Sequence, residues 1–285
     1  KSKVKVNLTI NTIVYDEELD RLKQILSAAK SAAIDAIICW DLAVINLCRK
    51  MKIDFHVSTQ ASISNIEAAR FYADLGAKRI ILARELSLEQ IREIKKQIKC
   101  VEIEVFCHGA MCVSVSGRCF MSQELFGKSA NRGECLQPCR REYLVNDVEK
   151  EFNLVLGKDY VMSPKDLCTI GFLDKLSEVA DVIKIEGRMR SPEYVKTTTE
   201  CYRQALDAIS KGVYDKRLKY GLTEKLKTVY NRGFSSGFFL GRPINEWTDA
   251  YGSKATVQKS FIGFVKNYFE KVGAAELLIQ SGELR

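Results

Sequence analysis

The sequence predicts an α/β protein, specifically a β/α (TIM-like) barrel. Three observations lead there: short β-branched runs alternate with helical patterns, the connections between them are short, and no Gly-rich dinucleotide fingerprint favours an open doubly wound sheet. Val4–Asn11 is the first strand. Glu17–Lys30 is a helix, because Leu19, Leu22, Ile25 and Leu26 fall on one face at helical spacing. Strand and helix then repeat at Ala36–Asp41 and Leu42–Lys50, at Asp54–Gln60 and Ile63–Leu75, and at Arg79–Ala83 and Leu88–Gln97. Val101–Phe106 is the fifth strand, and a cysteine-rich segment follows it. Tyr160–Met162 is a short strand with Leu167–Leu176 helical after it. Val182–Glu186 is a strand and Pro192–Lys211 a long helix. That is one strand fewer than a barrel needs, so the N-terminal unit or units are expected to precede Lys1.

The pattern changes after the long helix. The organisation read from it is a barrel over residues 1–215 with a cysteine-rich insertion at 107–139. A helical and Gly/aromatic-rich linker follows over 216–250, with a short helix at Thr223–Asn231 and a loop at Gly233–Gly241. Residues 251–285 begin a C-terminal β domain, with strands at Ser260–Tyr268 and Ala274–Gln280.

Composition excludes several classes. Hydrophobic residues at 46% and charged residues at 28% are normal for a soluble globular chain. No apolar run is long enough to span a bilayer, and no secretory signal is visible. A cytoplasmic location without membrane contact is therefore expected. The net charge of +8 permits a nucleic-acid or other anionic partner without demanding one. Ten cysteines in an intracellular barrel point to metal, cluster or thiol chemistry rather than to disulfides.

Barrel enzymes take their catalytic groups from the C-terminal ends of the strands. Here those ends carry Asn11, Asp41, Gln60, Arg84 with Glu85, His108, Lys165 with Asp166, and Glu186 with Arg188. Asp41 and Asp166 double as candidate helix N-caps. A rim with Arg84, Lys165, Lys184, Arg188 and Arg190 suits a carboxylate or phosphate.

The cysteine-rich segment holds Cys107, Cys112, Cys119, Cys135 and Cys139, and Cys168 follows at a later strand end. The intervening spacings are four, six, fifteen and three residues, so only Cys135–Cys139 is like a zinc knuckle, and the triplet of the radical enzymes is absent. A cluster with widely spaced thiolates stays open. Cys39, Cys48, Cys100 and Cys201 fall in strand or helix patterns and read as small core hydrophobes.

The stretches EVFCHGAMCVSVSGRCFMS, NRGECLQPCRREY, MSPKDLC and IKIEGRMRSPEYV closely resemble the U32 peptidase family, as does STQASISNIEAARFYADLGAKRIILAREL. That family includes proteins named as proteases, some as collagenases, and oxygen-independent hydroxylases with a 4Fe-4S cluster. Resemblance to the cluster-binding members implies Cys112, Cys119, Cys135 and Cys168 as ligands, with Cys139 as the alternative third. YNRGFSSGFFLGRP is similar to the branch that makes 5-hydroxyuridine at the tRNA wobble position with prephenate. The reading that follows is an RNA hydroxylase whose partners are tRNA and a small dicarboxylate, with no DNA or membrane partner. Gln60, Arg84, Lys165, Lys184 and Arg188 would bind the dicarboxylate, and Arg118, Arg132, Arg140 and Arg141 the RNA phosphates. His108, Glu104 and Glu186 would transfer protons, although Glu104 and Glu186 could equally be salt-bridge partners.

Two alternatives stand beside it, a peptidase and an RNA-binding scaffold with a structural cluster. The peptidase has little in the residues. Only two histidines exist, there is no HExxH pair, and the G-x-S-x-G at Gly233–Gly237 lacks the strand of a nucleophile elbow. A Cys107–His108 pair is set against by adjacent side chains pointing opposite ways on an extended segment. The scaffold has no need of converging polar strand ends.

Overall fold

The helices begin where short polar side chains can cap them. Asp41 accepts the amide of Ala43 at 2.8 Å and starts helix α2 (Leu42–Met51). Asn65 does the same for α3 (Ile66–Asp74), and Ser87 with Gln90 forms a capping box on α4 (Leu88–Gln97). Ser191 caps α7 (Pro192–Ser210), with Pro192 as its first residue. The remaining helices are α1 (Leu19–Ser31), the short α5 (Met121–Phe126), α6 (Leu173–Val179) and α8 (Lys216–Lys227). The computed structural model describes residues 4–115, 118–149, 153–156, 162–242 and 246–283. Among these, no helix is long and apolar enough to cross a membrane.

The helices surround one sheet. Strands β1 (Asn7–Thr9), β2 (Ala36–Cys39), β3 (Phe55–Val57), β4 (Arg79–Ile81) and β5 (Glu102–Gly109) pair in sequence order and run parallel. Strands β6 (Tyr143–Asn146) and β7 (Asn153–Leu156) form a separate antiparallel pair, which the sequence pattern did not reveal. Beyond β5 the sheet divides. Strand β9 (Val182–Ile185) joins β5 in parallel, while β8 (Asp166–Cys168) meets the end of β5 antiparallel, His108 opposite Cys168. Strand β10 (Phe234–Ser235) then pairs with β8. The sheet is thus mixed rather than all parallel. No ladder joins β1 to β9 or β10 among the described residues. The core is the aliphatic stripe of the helices against the strands, with Leu26, Ile37, Ile45, Ile80, Ile91 and Ile103 fully buried.

Four sequence expectations change. The strand at Tyr160–Met162 falls mostly outside the described residues, and Met162 lies in a turn. Asp166–Cys168, expected to open with helix from Leu167, is strand, because Leu167 is held between β5 and β10. Asp166 therefore caps nothing and is buried in that strand. The segment 216–250, expected as a linker, gives Leu222 and Leu226 to the core and β10 to the sheet. By contrast β11 (Gly263–Phe269) and β12 (Ala274–Ile279) form a hairpin that is exposed on nearly every residue.

Candidate active site

The ends of the parallel strands enclose a cleft of about 430 Å³. Its lining includes Asn11 after β1, Ser58 and Gln60 after β3, Arg84 after β4, Phe106 on β5, and Lys184, Glu186 and Arg188 on and after β9. Cys112 and Cys135 line it too. Of the residues expected to bind a dicarboxylate, four therefore meet here: Gln60, Arg84, Lys184 and Arg188. Lys165 does not. It pairs with Glu246 at 3.2 Å and lines a separate pocket with Met111, Cys112 and Trp247.

Phe106 is the apolar floor, with the Arg84 guanidinium 3.9 Å from its ring centroid and the Lys184 ammonium 5.6 Å from it. Arg84 donates from Nη1 to the carbonyl of Ala110 at 2.9 Å and lies 4.0 Å from Glu186. Its Nε is buried with no partner among the described residues, an orphan donor in a cleft wall. Burial pulls the Arg84 pKa down, and Glu186 opposes that. Lys184 is tied back at 3.1 Å to Glu104, which also receives Arg79 at 3.0 Å. Glu104 is thus a buried carboxylate shared by two cations, and it sits behind the cleft rather than on its surface.

Glu186 is fixed from several sides. Its Oε1 accepts the amide of Arg188 at 2.9 Å, its own amide donates to His108 O at 2.8 Å, and its carbonyl accepts from Tyr194. Gly109 permits this. It has φ +106°, and a Cβ there would lie 2.5 Å from Glu186 O, which only glycine avoids.

A bulge in β5 explains why Phe106 and His108, two residues apart, serve different places. Phe106 pairs with Lys184 and His108 with Ile185, leaving Cys107 as the extra residue. Phe106 reaches the cleft. His108 is buried among Tyr194, Tyr202 and Phe234, away from it. Tyr202 donates to Cys107 O at 2.7 Å and accepts the amide of Thr169 at 3.0 Å. The Tyr202 hydroxyl lies 3.3 Å from His108 Nδ1 and also receives Thr169 Oγ1 at 3.4 Å. Burial lowers the His108 pKa to about 3, so the ring is neutral.

All ten cysteines are free thiols. Cys139 is held up by burial first, and its thiol also feels Cys112, Cys135 and Cys119. Those four form one neighbourhood. Cys168 sits apart, 4.0 Å from the Tyr202 hydroxyl, and burial pushes its thiol up to about 11. Among the described residues no three His, Cys, Asp or Glu groups are drawn together tightly enough to hold a metal ion. In donor chemistry, however, the set suits an iron–sulfur cluster: soft thiols, two of them exposed on the cleft wall.

The four arginines expected at RNA phosphates are not equivalent. Arg132 is spent on Glu18 and on the carbonyl of Ile13, tying the cysteine-rich segment to the connection between β1 and α1. Arg140 donates to Ser163, Pro164 and Met111. Arg118 and Arg141 are exposed, Arg141 over the ring of Phe126. Sequence reasoning missed Phe106 and Arg232. The buried Arg232 sits in a Gly- and aromatic-rich stretch, and a charge in such surroundings was the available signal.

The family model described as Peptidase family U32 matches residues 1–249. A protein of Porphyromonas gingivalis named collagenase is 44% identical, the match covering 99% of this chain and 70% of that protein. A Bacillus subtilis protein named for tRNA hydroxylation is 36% identical over 93% of this chain and 64% of its own length. A 23S rRNA 5-hydroxycytidine synthase of Escherichia coli is 32% identical over 98% of this chain and 48% of its own length. The solved U32 peptidase Mk0906 aligns with a TM-score of 0.41 at 16% identity, over 64% of this chain and 69% of that one.

Proposed function

Because the chain belongs to peptidase family U32, we propose that it is an RNA-hydroxylating enzyme of that family. The reaction proposed is prephenate-dependent conversion of the tRNA wobble uridine to 5-hydroxyuridine, in the cytoplasm, on a fold we take to be a β/α barrel. The observation that carries the reading is the cleft. Its cations converge over the apolar ring of Phe106, and the Arg84 Nε has no protein acceptor among the described residues. A dicarboxylate on an apolar ring suits such a surface. Lys184 is already engaged by Glu104, so Arg84 and Arg188 are the cations left to clamp the two carboxylates, with Gln60 beside them. Relatives named for tRNA hydroxylation and for an rRNA hydroxycytidine synthase support RNA as the substrate class.

Cys112, Cys119 and Cys168, with Cys135 or Cys139 as the third ligand, would hold a 4Fe-4S cluster, which when bound supplies one-electron chemistry. The chain's own residues bind and orient. Glu186, fixed by the Arg188 amide, is the carboxylate on the cleft wall able to hold a proton at Oε2. Glu104 holds Lys184 and Arg79 in place. Neutral His108 positions Tyr202 from behind the wall. The test is iron and sulfide content of anaerobically purified protein, followed by nucleoside analysis of unmodified tRNA incubated with it and prephenate. Nucleosides gaining an oxygen only when prephenate is present support the reading. An iron-loaded protein that leaves tRNA unchanged would sink it.

The relatives named collagenase favour a second reading, a peptidase. The site offers it little. His108 is buried and neutral, His56 is buried with Nδ1 unpartnered, and the Ser235 hydroxyl accepts only the Gly237 amide among the described residues. Cleavage of collagen by iron-free protein would restore it.

A further inference from the structure

A second pocket, of about 270 Å³, shares no lining residue with the cleft. Gln137, Arg140, Arg141, Ser163, Tyr230 and Arg232 line it. Its charges do not balance. Arg232 and Asp166, 5% and 2% exposed, form a long ion pair at 3.5 Å. That is the one ion pair these arginines make among the described residues. Arg140 spends its donors on neutral acceptors, at 2.7 Å on Ser163 Oγ, 3.0 Å on Pro164 O and 2.6 Å on Met111 O. Arg190 lies 3.8 Å over the ring of Tyr230, and Arg232 lies 5.2 Å over it. Asp166 therefore faces Arg232, Arg190 and Arg140 together.

Buried positive charge without a matching anion is costly, and a planar guanidinium pair is the geometry that phosphate satisfies. We propose that this pocket binds a phosphate group of the RNA backbone, held by Arg140, Arg141 and Arg232 and flanked by Tyr230. The phosphate chemistry follows from the charge imbalance. Its origin in RNA rests on the hydroxylase reading. The pocket also adjoins the chemistry: Arg140 grips the carbonyls of Met111 and Pro164, both of which line the pocket beside Cys112.

The probe is inorganic phosphate, titrated calorimetrically into the full chain, with thermal unfolding alongside. Two variants report on the site. Arg141→Gln changes an exposed side chain. The double variant Asp166→Asn, Arg232→Gln removes both charges of the buried pair, so that neither is left without its partner. Phosphate should raise the unfolding temperature of the wild type, and each variant should weaken phosphate roughly tenfold or more. A single-stranded uridine-rich oligoribonucleotide should displace the phosphate. In the variants, the dependence of its log affinity on log salt should become shallower by about 0.7 for each backbone phosphate the pocket no longer neutralises. No phosphate binding by the wild type, or binding unchanged in Arg141→Gln and in a folded double variant, overturns the proposal. Phosphate that binds the wild type and not the variants, without displacement by the oligonucleotide, upholds the anion pocket and removes RNA as its source.

Discussion

Arg84 lays its guanidinium 3.9 Å from the ring centroid of Phe106, with Nε left unpartnered among the described residues. The ring fixes the plane of the fork, so the donors are oriented before a ligand arrives. Replacing the fork should therefore hurt binding before it hurts chemistry. Arg84→Gln should raise the KM for prephenate by about tenfold or more, with a smaller change in kcat. Arg84→Lys should recover little, because an ammonium cannot stack or fork. An unchanged KM in both variants would remove Arg84 from the carboxylate site.

Glu104 is a matter of stability. It is 4% exposed and carries both Arg79 and Lys184. Glu104→Gln leaves Lys184 facing a neutral amide while Arg79 keeps Glu102, and breaking such a pair costs on the order of 3 kcal/mol. Urea unfolding should show the midpoint falling with the slope unchanged. A change under about 1 kcal/mol would mean that solvent already screens the pair.

Acid should find the protein through His108. The folded ring titrates at about 3, against 6.5 when free. Between those values the unfolded chain binds a proton that the folded chain refuses. Stability is therefore intact above pH 6.5 and lost as pH falls toward 3, by at most about 1.4 kcal/mol per pH unit. His56, also lowered by burial and then by Arg79, pushes the same way. His108→Asn, which keeps a polar partner for Tyr202, should flatten the fall in a denaturation series from neutral pH to about pH 4. Parallel curves for the two proteins would contradict the assignment.

Thiol labelling sorts the cysteines. Cys100, Cys112 and Cys135 are exposed, while Cys107 is buried and burial pushes its thiol up, as it does that of Cys168. In iron-free protein, iodoacetamide should modify the first three quickly and Cys107 and Cys168 slowly, as read by peptide mass. After anaerobic reconstitution Cys112 and Cys135 should become protected while Cys100 still reacts. Protection that spreads equally to Cys100 would indicate general burial rather than ligation.

The strands β1 to β5 and their helices were legible because each is a local event. An apolar run, a capping residue and a helical stripe fit within one window, and α4 ends at Gln97 as its pattern predicts. The strand ends β8 and β10 were not legible. Two or three residues carry no periodicity, and their extended state comes from partners far along the chain, Leu167 from Ser235 and Gly109. The cleft was half legible. Gln60, Arg84, Lys184 and Arg188 converge as the strand-end rule requires. The bulge at Cys107 breaks the alternation on which side-chain direction was argued, so the separation of His108 from Phe106 could not be read. Lys165 left the rim for Glu246, a pairing across 81 positions that no local pattern encodes.

The divided partnership of β5 bears on how the chain is made. One edge of Glu102–Gly109 carries β4, which is synthesised before it, with β8 beyond β4 at His108 and Gly109, and the opposite edge carries β9; β8 and β9 both come later. A chain leaving the ribosome thus holds a half sheet with a bare edge, Ile103, Val105, Phe106 and Cys107 among its residues, until residue 185 emerges. The edge of β8 waits longer still, for Phe234 and Ser235. Bare edges recruit other strands, and ladders closed late and over long loops form slowly. Nascent chains of intermediate length are accordingly the species most exposed to aggregation, and the ones on which a chaperone would act.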